Sequence, residues 1–441
     1  MTVSFASAVN QSVAQSAVVG SHIVDAVLHW CTRLGQVSEL DRMLYRPFGS
    51  RALERAAKLI ESWMHESGMH TRRDTFGSVI GRLRADDDHR PTLLLGSHID
   101  TVPGGGYYDG CLGVLLPIAL CAALPERTLP FHIEVIAFLA EEGTRFGTGC
   151  LSSRAFVGSL EPSVLEKRDR EGESVADAVR VHGGRPEQLT SCAPSTEDIL
   201  GYLEIHIEQG PELEARGIGL GVVERIVGQS RVALSIEGEA SHAGTTPMES
   251  RKDALAMAAE MILEVERLAR DDASLVATVG RLDITPNASN VVPGLVDMSL
   301  DLRHPIDEQR RAALAHMVGF ARSRAQTRSL RATWRVDGER NTAECEPALT
   351  DELARAVAEV MEQPATRLPS LAGHDAMVMA KIMPVAMLFL RSPGGLSHHE
   401  DESVLPADVG LAVDVLARFF DRLVSFPTWR QLADVQDSIS W

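Results

Sequence analysis

Apolar positions near the start of the chain recur at helical spacing. Ile23, Val27 and Trp30, then Leu53, Ala56, Ile60 and Trp63, predict two helices around a polar loop within Ser21–Ser67. Asp74–Leu83 and Thr92–Leu95 then read as strands, the second introduced by Pro91, and Gly113–Leu124 as a largely apolar helix. Phe131–Leu139 is a further strand that runs straight into Ala140-Glu141-Glu142-Gly143. Residues 144–193 read as loop and helix. Tyr202–Ile207 alternates, with Leu203, Ile205 and Ile207 on one side and Glu204, His206 and Glu208 on the other. Strand, helix and strand in succession predict an α/β sheet.

After Gly221 the texture changes. Arg231–Glu237, Leu275–Val279, Val296–Arg303 and Leu330–Val336 read as strands, and Ser250–Arg270 and Ile306–Arg324 as amphipathic helices, the first with Ser250 as its cap. That is an α+β unit of independent domain size. Gly338–Glu346 reads as a linker, after which helix Thr350–Glu362, strand Val385–Leu390 and helix Ala407–Val424 return to the α/β texture. The economical account is one domain over residues 21–221 and 339–441, interrupted by a second over 222–338.

Composition narrows the function classes. A chain of 441 residues with 44% hydrophobic and 24% charged residues is globular and too long for one ordinary core. Its formal charge of −18 argues against nucleic acid or an anionic membrane as partner, while leaving room for a small anion held by a local arginine. Cys31, Cys111, Cys121, Cys150, Cys192 and Cys345 follow no metal or disulfide spacing, so they are expected reduced in a cytoplasmic protein. Met1–Gly20 lacks a basic residue and does not read as a signal peptide, and no apolar run has membrane-spanning length.

The chemistry gathers around Leu93–Gly113. His98 follows a buried strand and Asp109 lies eleven residues further along a Gly/Pro-rich loop, where open α/β sheets place their ligands. Asp100 is placed to accept the other imidazole N–H of His98. Glu141 and Glu142 end a buried strand, an expensive position unless something compensates their charge. With His206 and His398 these residues suit divalent ions, zinc first and manganese or cobalt as alternatives. Five ligands exceed one tetrahedral ion and suit two bridged by a carboxylate, leaving Glu141 as general base. Gly104-Gly105-Gly106 is no phosphate loop, since no Lys-Ser/Thr follows, and Cys111 reads as a small buried hydrophobe.

GSHIDTVPGGGYYDGCLGV, AEEGTRF, YLEIHIEQGPELE, EASHAGTTPM, PNASNVVPG, LDLRH, AGHDAM and GLSHHEDE, in this order, carry a resemblance to a known group. The chain resembles the di-metal aminoacylase and carboxypeptidase-type amidohydrolases, specifically N-carbamoyl-L-amino-acid hydrolases, ureidopropionases and allantoate amidohydrolases. The resemblance implies a metallopeptidase-like mixed sheet with helices on both faces and an inserted lid and dimerisation domain. It implies one ion on Asp109, Glu142 and His398 and another on Asp109, His98 and His206, with Glu141 as base. His242 matches a residue that polarises the substrate carbonyl, Asn290 and Arg303 match residues that hold a substrate carboxylate, and Gln209 lies beside the metals. His206, where related peptidases tend to place a carboxylate, favours a ureido over a peptide substrate.

Leu371, where the group more often has a glycine-like residue, and Glu400, where proline is common, depart from the pattern. The expected activity is therefore hydrolysis of a ureido C–N bond in a small N-carbamoyl amino acid by a homodimer, with release of ammonia and carbon dioxide. Allantoate and N-acyl amino acids or dipeptides are the alternative substrates. A retired scaffold that only binds would have no need of Glu141, and a phosphoesterase would want a basic cluster that is missing.

Overall fold

The computed structural model describes residues 13–124, 129–191, 195–424 and 426. Cys192 and most of the stretch read against a signal peptide fall outside these residues. The chain divides into two compact units, one comprising Met1–Glu224, Glu344–Leu368 and His374–Trp441, the other Arg225–Ala343 and Pro369–Gly373.

In the first unit, α1 (Val13–Gly35), α2 (Arg51–Glu66), β1 (His70–Arg73), β2 (Val79–Leu83), β3 (Thr92–His98), α3 (Cys111–Ala122), β4 (His132–Phe138), α4 (Leu151–Phe156), α5 (Val175–Val181), β5 (Ile199–Ile207), α6 (Glu212–Ala215) and β6 (Leu220–Ile226) follow one another. The second unit holds β7 (Gly228–Glu237), β8 (Ser241–His242), α7 (Ala254–Asp271), β9 (Val276–Thr285), β10 (Val291–Val292), β11 (Leu295–His304), α8 (Asp307–Thr327) and β12 (Arg331–Arg340). The chain then continues through β13 (Ala343–Glu344), α9 (Pro347–Met361), β14 (Arg367–Ser370), α10 (Asp375–Met379), β15 (Val385–Leu390) and α11 (Pro406–Leu423).

The larger sheet is mixed, in the order β1-β2-β4-β3-β5-β15-β6-β13, with β14 paired to β6. Its centre, β4, β3, β5 and β15, is parallel, so four strands deliver their carboxyl ends to one edge. The residues of β3, β4, β5 and β15 are buried whichever way they point, so both faces of these strands are covered. Leu203, Ile205 and Ile207 join the main apolar core, which leaves Glu204 and His206 on the opposite side, where they need polar partners.

The second unit is a four-stranded antiparallel sheet, β12-β7-β11-β9, with two long helices. Val232, Leu234 and Ile236 of β7 and Val296, Met298, Leu300 and Leu302 of β11 alternate inward. They pack with Met257, Ala258, Met261 and Val265 of α7 and Met317, Ala321 and Ala325 of α8. The other parity of β11 carries Asp297, Ser299, Asp301 and Arg303.

Local chemistry moves several expected boundaries. The strand expected from Asp74 begins at Val79, because Asp74 Oδ1 accepts the N–H groups of Phe76, Gly77 and Ser78 at 2.8–2.9 Å and folds a turn there. Asp253, not Ser250, caps α7 by accepting the Ala256 N–H at 3.0 Å; Ser250 lies in the short turn Met248–Ser250. Within the expected linker, β12 runs on to Arg340 past a bulge between Val336 and Gly338.

Helix α3 approaches β5 closely enough to require glycine. A Cβ on Gly113 would stand 2.0 Å from the Ile205 carbonyl oxygen. Gly113→Ala is expected to cost about 1–3 kcal/mol, as overpacking does. A denaturant midpoint unchanged from that of the wild type would refute this.

Candidate metal centre

His98 is the last residue of β3 and His206 the last but one of β5, so two neighbouring parallel strands present imidazoles at the same edge. The loop after β3 returns Asp109 to that edge, and α3 starts two residues later. Gly110, at φ +66°, makes the return feasible, since a Cβ there would lie 2.5 Å from His98 Nε2. Glu141 and Glu142 follow β4, and His398, at φ +55°, lies in the loop after β15.

Two of the histidines have their tautomers fixed by backbone. His98 Nδ1 lies 3.0 Å from the Asp100 carbonyl oxygen and His206 Nδ1 lies 2.8 Å from that of Ile207. A carbonyl only accepts, so each Nδ1 carries its hydrogen and each Nε2 turns a lone pair inward. Both lone pairs face Asp109 Oδ1, at 3.5 Å from His98 and 3.2 Å from His206. Neither Asp109 Oδ1 nor His206 Nε2, both buried, makes a hydrogen bond among the described residues. On the other side His398 Nε2 lies 3.2 Å from Asp109 Oδ2 and 3.6 Å from Glu142 Oε1.

Acceptors facing acceptors in a buried place need a cation between them. Ligand bonds of 2.0–2.2 Å in a tetrahedron put neighbouring ligand atoms about 3.4 Å apart, close to the separations seen here. The donor set therefore fits a divalent metal. Two ligand groups form, His98–Asp109–His206 and Asp109–Glu142–His398, sharing Asp109. A third, Glu204–His206–His374, is less open, because Glu204 already accepts the Ser97 hydroxyl at 2.8 Å and the Ala376 N–H at 2.7 Å.

Without a metal, protons do the compensating. Burial pulls His98 and His206 down, but for His98 Asp100 and Asp109, and for His206 Asp109, outweigh it and hold the imidazoles above their ordinary pKa. Burial raises Asp109, yet the three imidazoles around it hold it well below the usual carboxylate range. Burial and then the Asp109 charge push Glu142 well above it. A divalent ion would displace these protons.

Asp100 accepts the His98 imidazole N–H, as expected of this residue, but through its backbone carbonyl rather than its carboxylate. Its carboxylate stands 3.6 Å from His98 Nδ1, which the backbone carbonyl already engages. Its two oxygens instead accept the N–H groups of Glu141 at 3.0 Å and Glu142 at 3.1 Å. Asp100 thus fixes the turn that carries both glutamates. Glu141 lies beside the centre with its Oε1 3.3 Å from Cys150 Sγ. Gln209, at φ +59°, donates from Nε2 to Asp109 Oδ2 at 3.1 Å.

The remaining expected residues belong to the second unit. β8 pairs with β10, opposing His242 to Val291, and Ala243 N–H donates to the Asn290 carbonyl at 3.0 Å, so His242 and Asn290 are neighbours. His242 Nδ1 accepts the N–H groups of Gly244 at 3.0 Å and Thr245 at 3.1 Å, leaving Nε2–H as an outward donor. Arg303 pairs with Asp301 at 3.0 Å and donates to the Leu371 carbonyl at 2.8 Å. Its guanidinium is thus already held by a carboxylate.

Several polar residues at the centre carry no prior expectation. The His374 ring meets that of His206 edge-on, with centroids 4.5 Å apart. Burial, then His206, hold His374 well below its ordinary pKa, so it is neutral. Asp375 accepts the Ser153 hydroxyl, and Ser397 and Glu402 reach Asp109. Their signal is faint: His374 and Asp375 stand in AGHDAM and Ser397 and Glu402 in GLSHHEDE, but spacing alone gives them no task. Cys111 is buried, takes a hydrogen bond from Arg46, and has its thiol pushed up by burial, which suits a packing residue.

Imidazoles and carboxylates converging at the carboxyl ends of parallel strands, with a glutamate beside them, define the centre of a metal-dependent hydrolase. Residues 94–422 match the model of peptidase family M20/M25/M40. The chain belongs to that family. It is 38% identical over 372 residues to an N-carbamoyl-L-amino acid amidohydrolase of Geobacillus stearothermophilus, covering 83% of this chain and 90% of that one. It is 36% identical over 425 residues to a probable allantoate deiminase of Oryza sativa subsp. japonica, covering 88% and 86%. A hydantoinase/carbamoylase family amidase from Burkholderia phymatum matches with a TM-score of 0.79 and 31% identity, over 91% of this chain and 97% of that one.

Asp100→Ala strips the acceptor from two backbone N–H groups behind the glutamates. Metal affinity is expected to fall about 10–100-fold, as for other residues that orient ligands. Chelator competition measures it, and unchanged affinity in a folded variant would refute the role.

Proposed function

We propose that this protein hydrolyses the ureido C–N bond of a small N-carbamoyl amino acid, releasing ammonia and carbon dioxide, with two divalent ions at the centre. Zinc is the first choice, with manganese or cobalt as alternatives. The observation that carries the reading is the convergence of His98, His206 and His398 on the two oxygens of Asp109, with Glu141 beside them. The names of the relatives from Geobacillus and Oryza favour ureido substrates, and the second makes allantoate the alternative.

Ions held by His98, Asp109, Glu142, His206 and His398 would lower the pKa of a coordinated water toward neutrality and polarise the substrate carbonyl. Glu141 takes the proton of the attacking water, holds it while the carbamoyl carbon becomes tetrahedral, and delivers it to the departing nitrogen as the C–N bond breaks. His242, with its hydrogen held on Nε2, donates to the developing oxyanion. Arg303 and Asn290 receive the substrate carboxylate, for which Arg303 exchanges part of its pairing with Asp301.

A homodimer joined through the second unit, in the cytoplasm, belongs to the same proposal. The described cysteines, buried and in no disulfide, suit a reducing compartment, and no described helix is long and apolar enough to cross a membrane.

Ammonia release from N-carbamoyl amino acids, N-carbamoyl-β-alanine and allantoate tests the reaction. Glu141→Gln is expected to lower the rate about 10²–10⁴-fold while metal content is kept. Full activity in this variant would remove Glu141 from the mechanism. A metal-loaded wild type that is silent on every ureido substrate would point to N-acyl amino acids or dipeptides instead. Exhaustive chelation should abolish activity, and zinc, manganese or cobalt should restore it; activity that survives chelation would sink the metal-dependent reading.

A further inference from the structure

The two oxygens of Asp109 live in different surroundings. Oδ1 makes no hydrogen bond and faces His98 and His206, whose rings are anchored by backbone carbonyls. Oδ2 accepts Gln209 Nε2–H at 3.1 Å and the Ser397 hydroxyl at 3.2 Å, and lies 3.2 Å from His398. The side chains of His98 and His206 are buried, whereas that of His398 is half exposed.

Ser397 is tied in turn to Glu402. Its Oγ lies 3.1 Å from Glu402 Oε2, while Glu402 Oε1 accepts the N–H groups of Tyr108 at 3.0 Å and Asp109 at 3.1 Å. Glu402, only 6% exposed, therefore grips the backbone that presents Asp109, and through Ser397 it also grips the loop that presents His398. The Glu402 N–H closes that loop onto the His399 carbonyl at 3.1 Å. Among the described residues, no hydrogen bond of Ser397 or Glu402 reaches His98 or His206.

We propose that Ser397 and Glu402 are positioning residues for one ion position of the two, holding Asp109 Oδ2 and the His398 loop in register with Glu142. The buried position on His98, Asp109 and His206 depends on them little. Loss of either residue releases Asp109 Oδ2 and lets the His398 loop drift, while Oδ1 stays between two imidazoles anchored on backbone carbonyls, so the more exposed position weakens most. This inference rests on the two-ion reading above.

The test uses the full-length chain, stripped of metal and titrated with cobalt(II). Visible absorption follows the binding, and equilibrium dialysis with metal analysis counts the ions. Wild type is expected to bind two ions per chain in separable steps. Ser397→Ala and Glu402→Gln should keep the first step and its spectrum and weaken the second about 10–100-fold. Ser397→Thr, which keeps the hydroxyl, should restore it. Thermal melts identify variants that remain folded, and the near-isosteric Glu402→Gln and Ser397→Thr guard against a general fold defect. Two unaltered steps in both Ser397→Ala and Glu402→Gln, or equal weakening of both steps, would overturn the inference while leaving the proposed function standing. A wild type that takes up fewer than two ions would overturn both.

Discussion

Everything at the reactive edge depends on one carboxylate oxygen that makes no hydrogen bond among the described residues. Asp109 Oδ1 is buried without a hydrogen bond, faced by imidazole nitrogens whose hydrogens are spent on backbone carbonyls. Such a group is costly to bury unless a positive charge meets it. The surrounding fold serves that condition. Parallel pairing of β3 with β5 brings His98 and His206 to one edge, with ring centroids 5.8 Å apart, and Gly110 lets the loop come back against the ring. Asp100 then fixes the turn carrying Glu141 and Glu142.

Behind this edge lies a polar layer in which carboxylates outnumber cations. Glu204 and Asp375 are fully buried and held by Ser97, the Ala376 N–H and Ser153 rather than by arginine or lysine. Burial, then Glu204, push Asp375 well above the ordinary carboxylate range. Neutral donors can fix the geometry of a carboxylate without cancelling a nearby cation's field. An arginine there would add a second positive charge beside the proposed cation, which hydroxyls and backbone N–H groups do not.

The strands and the residues at their ends were legible because burial writes long signals. Thr92–His98 and His132–Phe138 are largely apolar and buried at every position, and a histidine or paired glutamates ending such a run demand a partner. What lay hidden is the work of short polar side chains on distant backbone. The contacts of Asp100 with Glu141 and Glu142 span 41 and 42 residues, and that of Glu402 with Asp109 spans 293. No periodicity encodes such contacts. The turn at Asp74 and the cap at Asp253 were missed for a related reason: a carboxylate that accepts several N–H groups ends or starts an element where apolar spacing sees only continuation.

The residues proposed for the reaction come from both units of the chain. The proposed ligands and base all lie in the first unit, whereas His242, Asn290 and Arg303 lie in the second. Metal chemistry asks only that a carbonyl and a water reach the centre, which any ureido or amide compound can satisfy. Discrimination falls to the groups that meet the rest of the molecule. Arg303 is held by Asp301 and by the carbonyl of Leu371, whose side chain is exposed. The backbone at Leu371 therefore helps to orient the guanidinium proposed to meet a carboxylate.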